Sequence, residues 1–388
     1  MKVPLSALTE VLIRISEKAA DIARKIRSDD TLFALLIQEK TGVDKNKRFV
    51  SDFKTLADVL VQEVVRHDVG NVFPGLVAHI QGEENNTFTN LLGESITVEI
   101  QDTCEETTNL LARILDNNRE ASTLLAELVH RQPSSHQSNS TRDDQQLNKV
   151  KIEVTADHLG IWIDPIDSTA QYIHGTNTKP NAHGIHVDGL QCATILIGVF
   201  DRISGLPIIG VINQPFQHLD EKNQQWRGRA IWGISYNETQ VNGGAANNKP
   251  DERAVILSSS ESKSTQNLIS KKYHLQQASG AGYKMLCVID SLVDSYLLSL
   301  TTTYKWDSCA AHAILRSKGG GVVDFTNAVQ IMKQGGQASL IQKLYDLQLK
   351  YNAANVGADG AARWQNVDGM LAYRNLDDLI ELLHELVR

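Results

Sequence analysis

Residues 161–169 read IWIDPIDST, and the rest of the chain is best read outward from them. Ile161, Trp162 and Ile163 are apolar residues that suit a strand, whereas Asp-Pro does not suit a strand interior. The apolar run is therefore expected to end where Asp164 begins, leaving Asp164 and Asp167 at the mouth of a strand. Paired carboxylates repel unless something positive lies between them. Hard divalent cations such as Mg²⁺ take oxygen ligands, and the Ile166 carbonyl between the two acids would add one more. Behind the acids, Ser168 and Thr169 would open a helix whose free N–H groups make a seat for phosphate. Metal on one side of a phosphate and a helix start on the other describe a phosphoryl-transfer site.

Three more acidic places stand out. Asp58 lies on the helical stretch LADVLVQE, Glu83 and Glu84 follow Gly82 in HIQGEEN, and Asp307 follows Trp306 at the expected start of a helix. Each has a plain alternative. Asp58 could be a solvated helix-face charge, Glu83-Glu84 a loop pair, Asp307 a helix cap, and Asp164-Pro165 a turn former. Taken together they are more informative, because a two-metal site needs several carboxylates at helix starts and strand ends. His174, His183 and His186 invite a zinc reading, but no helix or cysteine partners support it.

With 388 residues the chain can form one large domain or two lobes. It is 41% hydrophobic and 22% charged, as in ordinary globular proteins. The net charge of −8 argues against a nucleic-acid backbone as partner, but not against a small anion whose charge is met by cations. The first 27 residues have helical spacing and no signal-peptide pattern, and no stretch is long enough for a membrane span. Four scattered cysteines without a CxxC fit a reduced, cytoplasmic chain.

Residues 1 to about 40 are expected to be helical, as is LADVLVQEVVRH at 56–67. The polar segment 132–148 reads as a solvated loop. CATILIGVFD and LPIIGVINQP flank the short RISG, which predicts an antiparallel hairpin, with RAIWGISY as a third strand. A second polar loop, NETQVNGGAANNKPDER, is expected to close an α+β lobe spanning residues 1–250. Residues 251–388 alternate strand and helix, including DSCAAHAILRSKGGGVVDF as helix, glycine stop and strand, which predicts an α/β lobe.

The ordered series Asp58, Glu83-Glu84, Asp164-Pro165-Ile166-Asp167-Ser168-Thr169 and Trp306-Asp307 resembles the metal-binding pattern of the lithium-sensitive, Mg²⁺-dependent phosphatases. That superfamily includes inositol monophosphatase, bisphosphate nucleotidase and fructose-1,6-bisphosphatase. Longer stretches, among them KNKRFVSDFKTLADVLVQEV, GVINQPF and TYKWDSCAAHAILRSKGGG, narrow the resemblance to its inositol-polyphosphate branch. The resemblance implies a layered αβαβα sandwich. It implies two or three Mg²⁺ ions, with inhibition by Li⁺ and Ca²⁺. One ion would be held by Glu83, Asp164 and the Ile166 carbonyl, and a second by Asp164, Asp167 and Asp307. Asp58 with Thr169 would orient the attacking water, with a weaker third ion there, and Glu84 would support the ligands. Ser168, Thr169, Ser260, Gly280, Ala281, Lys284 and Thr302 would contact substrate. The implied reaction removes the 1-phosphate from inositol 1,4-bisphosphate and inositol 1,3,4-trisphosphate by in-line attack of water, in a monomer. A sister activity on 3′-phosphoadenosine 5′-phosphate and a silent inositol-phosphate binder are the alternatives. Two positions depart from the expected pattern: Ser262 stands where a lysine is expected, and Leu300 where an acid is expected.

Overall fold

A computed structural model describes residues 1–28, 33, 37–39, 53–90, 93–131, 145–246, 252–334 and 340–388. Its first large sheet contains β1 (Ile80–Gly82), β2 (Leu159–Asp167), β3 (Thr194–Asp201), β4 (Pro207–Asp220), β5 (Gln225–Tyr236) and β6 (Thr239–Gly243). They lie in the spatial order β6-β5-β4-β3-β2-β1. All neighbours are antiparallel except β1 and β2, which run parallel. The second sheet contains β7 (Ala254–Leu257), β8 (His274–Gln277), β9 (Ser295–Leu298), β10 (Gly321–Asp324) and β11 (Met370–Tyr373), in the order β8-β7-β9-β11-β10.

Helices fill the spaces around both sheets. On the outer face of the first sheet lie α1 (Leu5–Arg27) and α2 (Leu56–Val72). The short α3 (Thr169–His174) follows β2 directly. Beyond β7 comes α4 (Lys263–Ile269), then α5 (Ala281–Ile289) and α6 (Lys305–Ser317). The latter two lie between the sheets. On the far face of the second sheet α4 packs with α7 (Phe325–Gln334) and α8 (Leu376–Leu386). The order is helix, sheet, helix, sheet, helix, as the sequence reading expected.

The period-two alternation of strands makes this layering possible. On β3, Ile195, Ile197 and Val199 enter the core beneath α1 and α2, while Leu196 faces α5 and α6. On β7, Ala254 and Ile256 face the central helices, while Val255 and Leu257 pack with the far layer. Both sheets are buried on both sides, so their strands read as continuous apolar runs.

One row of glycines sets how closely the central helix docks. Gly210 of β4 pairs with Gly198 of β3 on one side and Gly233 of β5 on the other. A Cβ at Gly210 would meet the Ala310 carbonyl at 1.9 Å, and one at Gly198 would lie 2.6 Å from the Ala310 nitrogen. The backbone of α6 therefore comes directly against the sheet at Ala310, with the side chains of Cys309, Ile314 and Ser317 packed beside it.

Three local expectations are corrected. The first helix stops at Arg27, where Ser28 caps it, and Ile37–Glu39 forms a strand paired with Phe53–Thr55. The helical pattern up to about residue 40 therefore overran the cap. The apolar run of β2 ends before Asp164 as expected, but the strand itself continues through Asp167 by bulging, which keeps both acids at its C-terminal end. Within the polar stretch after residue 236, Thr239–Gly243 is a strand, because Tyr236 and Thr239 close a tight hairpin that lets polar residues complete the ladder. Most of the polar loop 132–148 lies outside the described residues.

Gly210→Ala should force α6 off the sheet, at a cost of about 1–3 kcal/mol. The midpoint of thermal unfolding should fall accordingly. An unchanged midpoint would contradict the close docking.

Candidate metal centre and cleft

The register of β2 explains how Asp164 and Asp167 come together. Asp164 pairs with Leu196 and Asp167 with Thr194, so three steps along β2 match two along β3. The extra residue is a β-bulge at Pro165–Ile166, a place where a missing N–H disturbs no ladder bond. In a regular strand, residues three apart face opposite ways. The bulge turns both carboxylates to the same side.

Parallel pairing brings in the next acid. Because β1 and β2 run the same way, their C-terminal ends lie side by side. The Glu83 N–H donates to the Ile163 carbonyl at 3.1 Å, so Glu83 sits next to Asp164. The last acid arrives on α6. Asp307 is the third residue of that helix, and one of its oxygens accepts the Tyr304 N–H at 2.5 Å.

Carboxylate oxygens of Asp164, Asp167 and Asp307 all lie within 4.8 Å of one another, and all three residues are buried. Burial pushes the pKa of Asp164 well above the ordinary carboxylate range, and Glu83, Asp167 and Asp307 push it further. Asp307 is raised by burial and by Asp167 and Glu83. Asp167 is raised by burial, against the opposing pull of Lys284 and the Gly282 N–H. Its Oδ2 accepts from Gly282 at 2.8 Å and from the Thr194 hydroxyl at 3.3 Å. Asp164 Oδ1 is buried without a hydrogen-bond partner. A buried carboxylate oxygen left bare among other acids fits a hard divalent cation, and the all-oxygen donor set is the one Mg²⁺ takes.

Asp58 is buried outside this triad. It is the third residue of α2, and its Oδ2 accepts from the Thr55 N–H at 2.5 Å and the Thr55 hydroxyl at 2.6 Å. Glu84 is buried and Glu83 half-buried, both on the wall of the cleft that contains the triad. The Ile166 carbonyl accepts the Thr169 hydroxyl at 3.0 Å.

The cleft has a volume of about 520 Å³, within the usual range for a small-molecule site. Ser168, Thr169, Gly280, Ala281, Lys284 and Thr302 line it. Ser168 takes a left-handed backbone (φ 72°) that turns the chain from β2 into α3. A Cβ at Gly280 or Gly282 would lie 2.9 Å from Asp167 Oδ2, so these glycines are what let the Gly282 N–H reach Asp167. Lys284 is buried and donates to the Ala278 carbonyl at 3.0 Å. Ser260 is exposed and bonded to Ser258; Ser258 and Ser259 are the serines on the cleft wall. Ser262 caps α4, and Leu300 packs against the central core.

The sequence reading missed the wall formed by Gly360, Ala361 and Trp364. This short 3₁₀ turn lies almost two hundred residues beyond Asp167, and its composition carries no local signal. Trp364 is fixed there by an edge contact with Trp162, ring centres 4.9 Å apart. His186 bonds Thr178, and His312 is buried between Tyr351 and Gln348, with burial pushing its pKa down to about 3. Among the described residues, the acid triad is the one cluster with metal-ligand spacing. The four cysteines are free. No helix among the described residues is long and apolar enough to cross a membrane.

The profile of the inositol monophosphatase family matches residues 60–355. Inositol polyphosphate 1-phosphatase of Mus musculus is 45% identical, over 97% of this chain and 96% of its own. The Homo sapiens protein of the same name is 44% identical over 99% and 98%. A 3′(2′),5′-bisphosphate nucleotidase of Mus musculus is 26% identical over 84% and 87%. Among solved structures, the extragenic suppressor protein suhB of Bartonella henselae shares the fold, with a TM-score of 0.50 at 13% identity over 98% of both chains. The chain belongs to the inositol monophosphatase family.

The raised carboxyls set a pH dependence. In the cation-free fold the triad binds protons more tightly than in the unfolded chain, where aspartates titrate near about 3.9. Stability of the cation-free protein should therefore fall as pH rises from about 4 through the raised values, and Mg²⁺ should restore it. Asp164→Asn should raise the cation-free unfolding midpoint at neutral pH while weakening Mg²⁺ binding by more than about a hundredfold. Thermal scans against pH, with and without Mg²⁺, check both signs.

Proposed function

We propose that this member of the inositol monophosphatase family is an inositol polyphosphate 1-phosphatase, releasing the 1-phosphate of inositol 1,4-bisphosphate and inositol 1,3,4-trisphosphate. The observation that carries the reading is the convergence of Asp164, Asp167 and Asp307, with Asp164 Oδ1 left bare, in a chain 45% identical to a relative of that name along nearly its whole length.

In this reading Glu83, Asp164 and the Ile166 carbonyl hold one Mg²⁺, and Asp164, Asp167 and Asp307 hold a second. Bound Mg²⁺ supplies acidification of the attacking water and charge neutralisation on the transferred phosphoryl and its leaving oxygen. Asp58 and Thr169 orient that water, near a weaker third cation position, and Glu84 supports the ligands. Ser168 and Thr169 receive the scissile phosphate at the start of α3, with Gly280 and Ala281 opposite at the start of α5. Lys284, held beneath the cleft, adds a positive charge toward it. Thr302 and the cleft-wall serines Ser258 and Ser259 contact the rest of the substrate, and Ser260, expected there, instead bonds Ser258 from outside the wall. Transfer is direct to water and in line, so no protein nucleophile takes part. Li⁺ and Ca²⁺ inhibit by competing for the acid sites.

Two lobes, residues 1–250 and 251–388, would each supply one side of the cleft. One chain provides every group the reading requires, which supports a monomer, and the free cysteines support a reducing, cytoplasmic setting. Hydrolysis of 3′-phosphoadenosine 5′-phosphate is the second reading, favoured by the likeness to the nucleotidase.

Phosphate release measured over inositol phosphates and nucleotides, with and without Mg²⁺, should show Mg²⁺-dependent turnover of inositol 1,4-bisphosphate well above that of the nucleotide. A preference for the nucleotide would reverse the choice. Asp58→Asn and Asp164→Asn should each lower kcat by roughly a hundredfold or more; activity that survives both would defeat the mechanism.

A further inference from the structure

Gln62 lies one helical turn after Asp58 on α2, so both side chains project from the same face. It is 1% exposed. A primary amide that deep is costly unless its donor and acceptor are both paired. Both are paired to one residue. Gln62 Nε2 donates to the Glu84 carbonyl at 2.5 Å, and Gln62 Oε1 accepts the Glu84 N–H at 3.0 Å. The side chain thus does for Glu84 what a neighbouring strand would do, just where β1 ends. Gly82 makes room for it: a Cβ there would lie 2.0 Å from Gln62 Oε1. The Glu83–Glu84 turn is therefore held from two sides, by Gln62 of α2 and by the Ile163 carbonyl of β2.

We propose that Gln62 is a positioning residue that locks the Glu83–Glu84 turn between the helix carrying Asp58 and the strand carrying Asp164, and so sets how tightly the acid cluster takes a divalent cation. Gln62 does not line the cleft that contains the acid triad. Its effect is carried by the Glu84 backbone, which fixes where the adjacent Glu83 carboxylate stands. The catalytic consequence rests on the phosphatase reading; the clamp itself does not.

The test uses the full chain and Gln62→Met, which keeps length and burial but removes both hydrogen bonds. In the cation-free protein, amide exchange at Glu84 should quicken by about tenfold or more, while exchange in β3 and β4 stays as in the wild type. Calorimetric titration with Mg²⁺ should show affinity weakened by roughly 10–100-fold, the range typical of groups that support metal ligands. At saturating Mg²⁺, KM for inositol 1,4-bisphosphate should hold within about twofold as kcat recovers. A folded Gln62→Met with wild-type Glu84 exchange and wild-type Mg²⁺ affinity overturns the proposal, since mere space-filling would survive this change. If that variant does not fold, Gln62→Glu gives the second reading: it keeps an acceptor for the Glu84 N–H but sets an oxygen against the Glu84 carbonyl. Its Mg²⁺ affinity should fall likewise, and wild-type affinity there also overturns the proposal. If the wild type releases no phosphate from any inositol phosphate, the proposed function fails, while exchange and calorimetry still decide the role of Gln62.

Discussion

Carboxylates buried together repel one another, and much of this molecule is arranged to hold them close regardless. Left to itself, a strand would point Asp164 and Asp167 to opposite faces, and a separate helix would keep Asp307 away from both. The β2 bulge, the parallel pairing of β1 with β2 and the glycine-lined docking of α6 override those tendencies. The resulting cluster of raised pKa values is unfavourable electrostatically, and the packed cores behind the cleft offset that cost. A divalent cation relieves the repulsion, so the same strain that weakens the cation-free fold provides the driving force for binding.

Two of the acids use one device. Asp58 and Asp307 are each the third residue of a helix, and each spends an oxygen on the backbone N–H that precedes it. The hydrogen bond fixes the carboxylate's orientation without neutralising it. Helix capping and metal binding are thus not rival explanations for these residues. The cap is what fixes where the carboxylate points. Glycine plays the complementary part around Asp167: Gly280 and Gly282 carry no side chain, so backbone N–H groups come within reach of a buried carboxylate.

The cleft walls come from distant parts of the chain. The turn after β2 supplies the floor at one end, the start of α5 the opposite side, and Thr302 with the 360–364 turn the rim. An inositol ring with two or three phosphates needs one deep seat for the reacting group and a wider, polar rim for the rest. At the rim this chain has serines and threonines with a tryptophan, while Ser262 is drawn into capping α4 and Leu300 into the core. The rim therefore offers hydroxyl groups, with no charged side chain from these two positions.

The sequence by itself determined the layered α/β class, the hairpin of β3 and β4, the helix of residues 305–317 and the identity of the acids. Those features are local: hydrophobic period, glycine stops and the chemistry of Asp-Pro-Ile-Asp are readable over ten residues at a time. What only the tertiary structure decided is which way those groups point and what stands opposite them. The bulge depends on β3 as a ruler, the reach of α6 on glycines from three strands, the Gln62 clamp on a turn 22 residues away, and the Trp364 wall on a contact with Trp162. Each is a long-range contact between residues with no local pattern in common, and the chain must fold before such a contact exists.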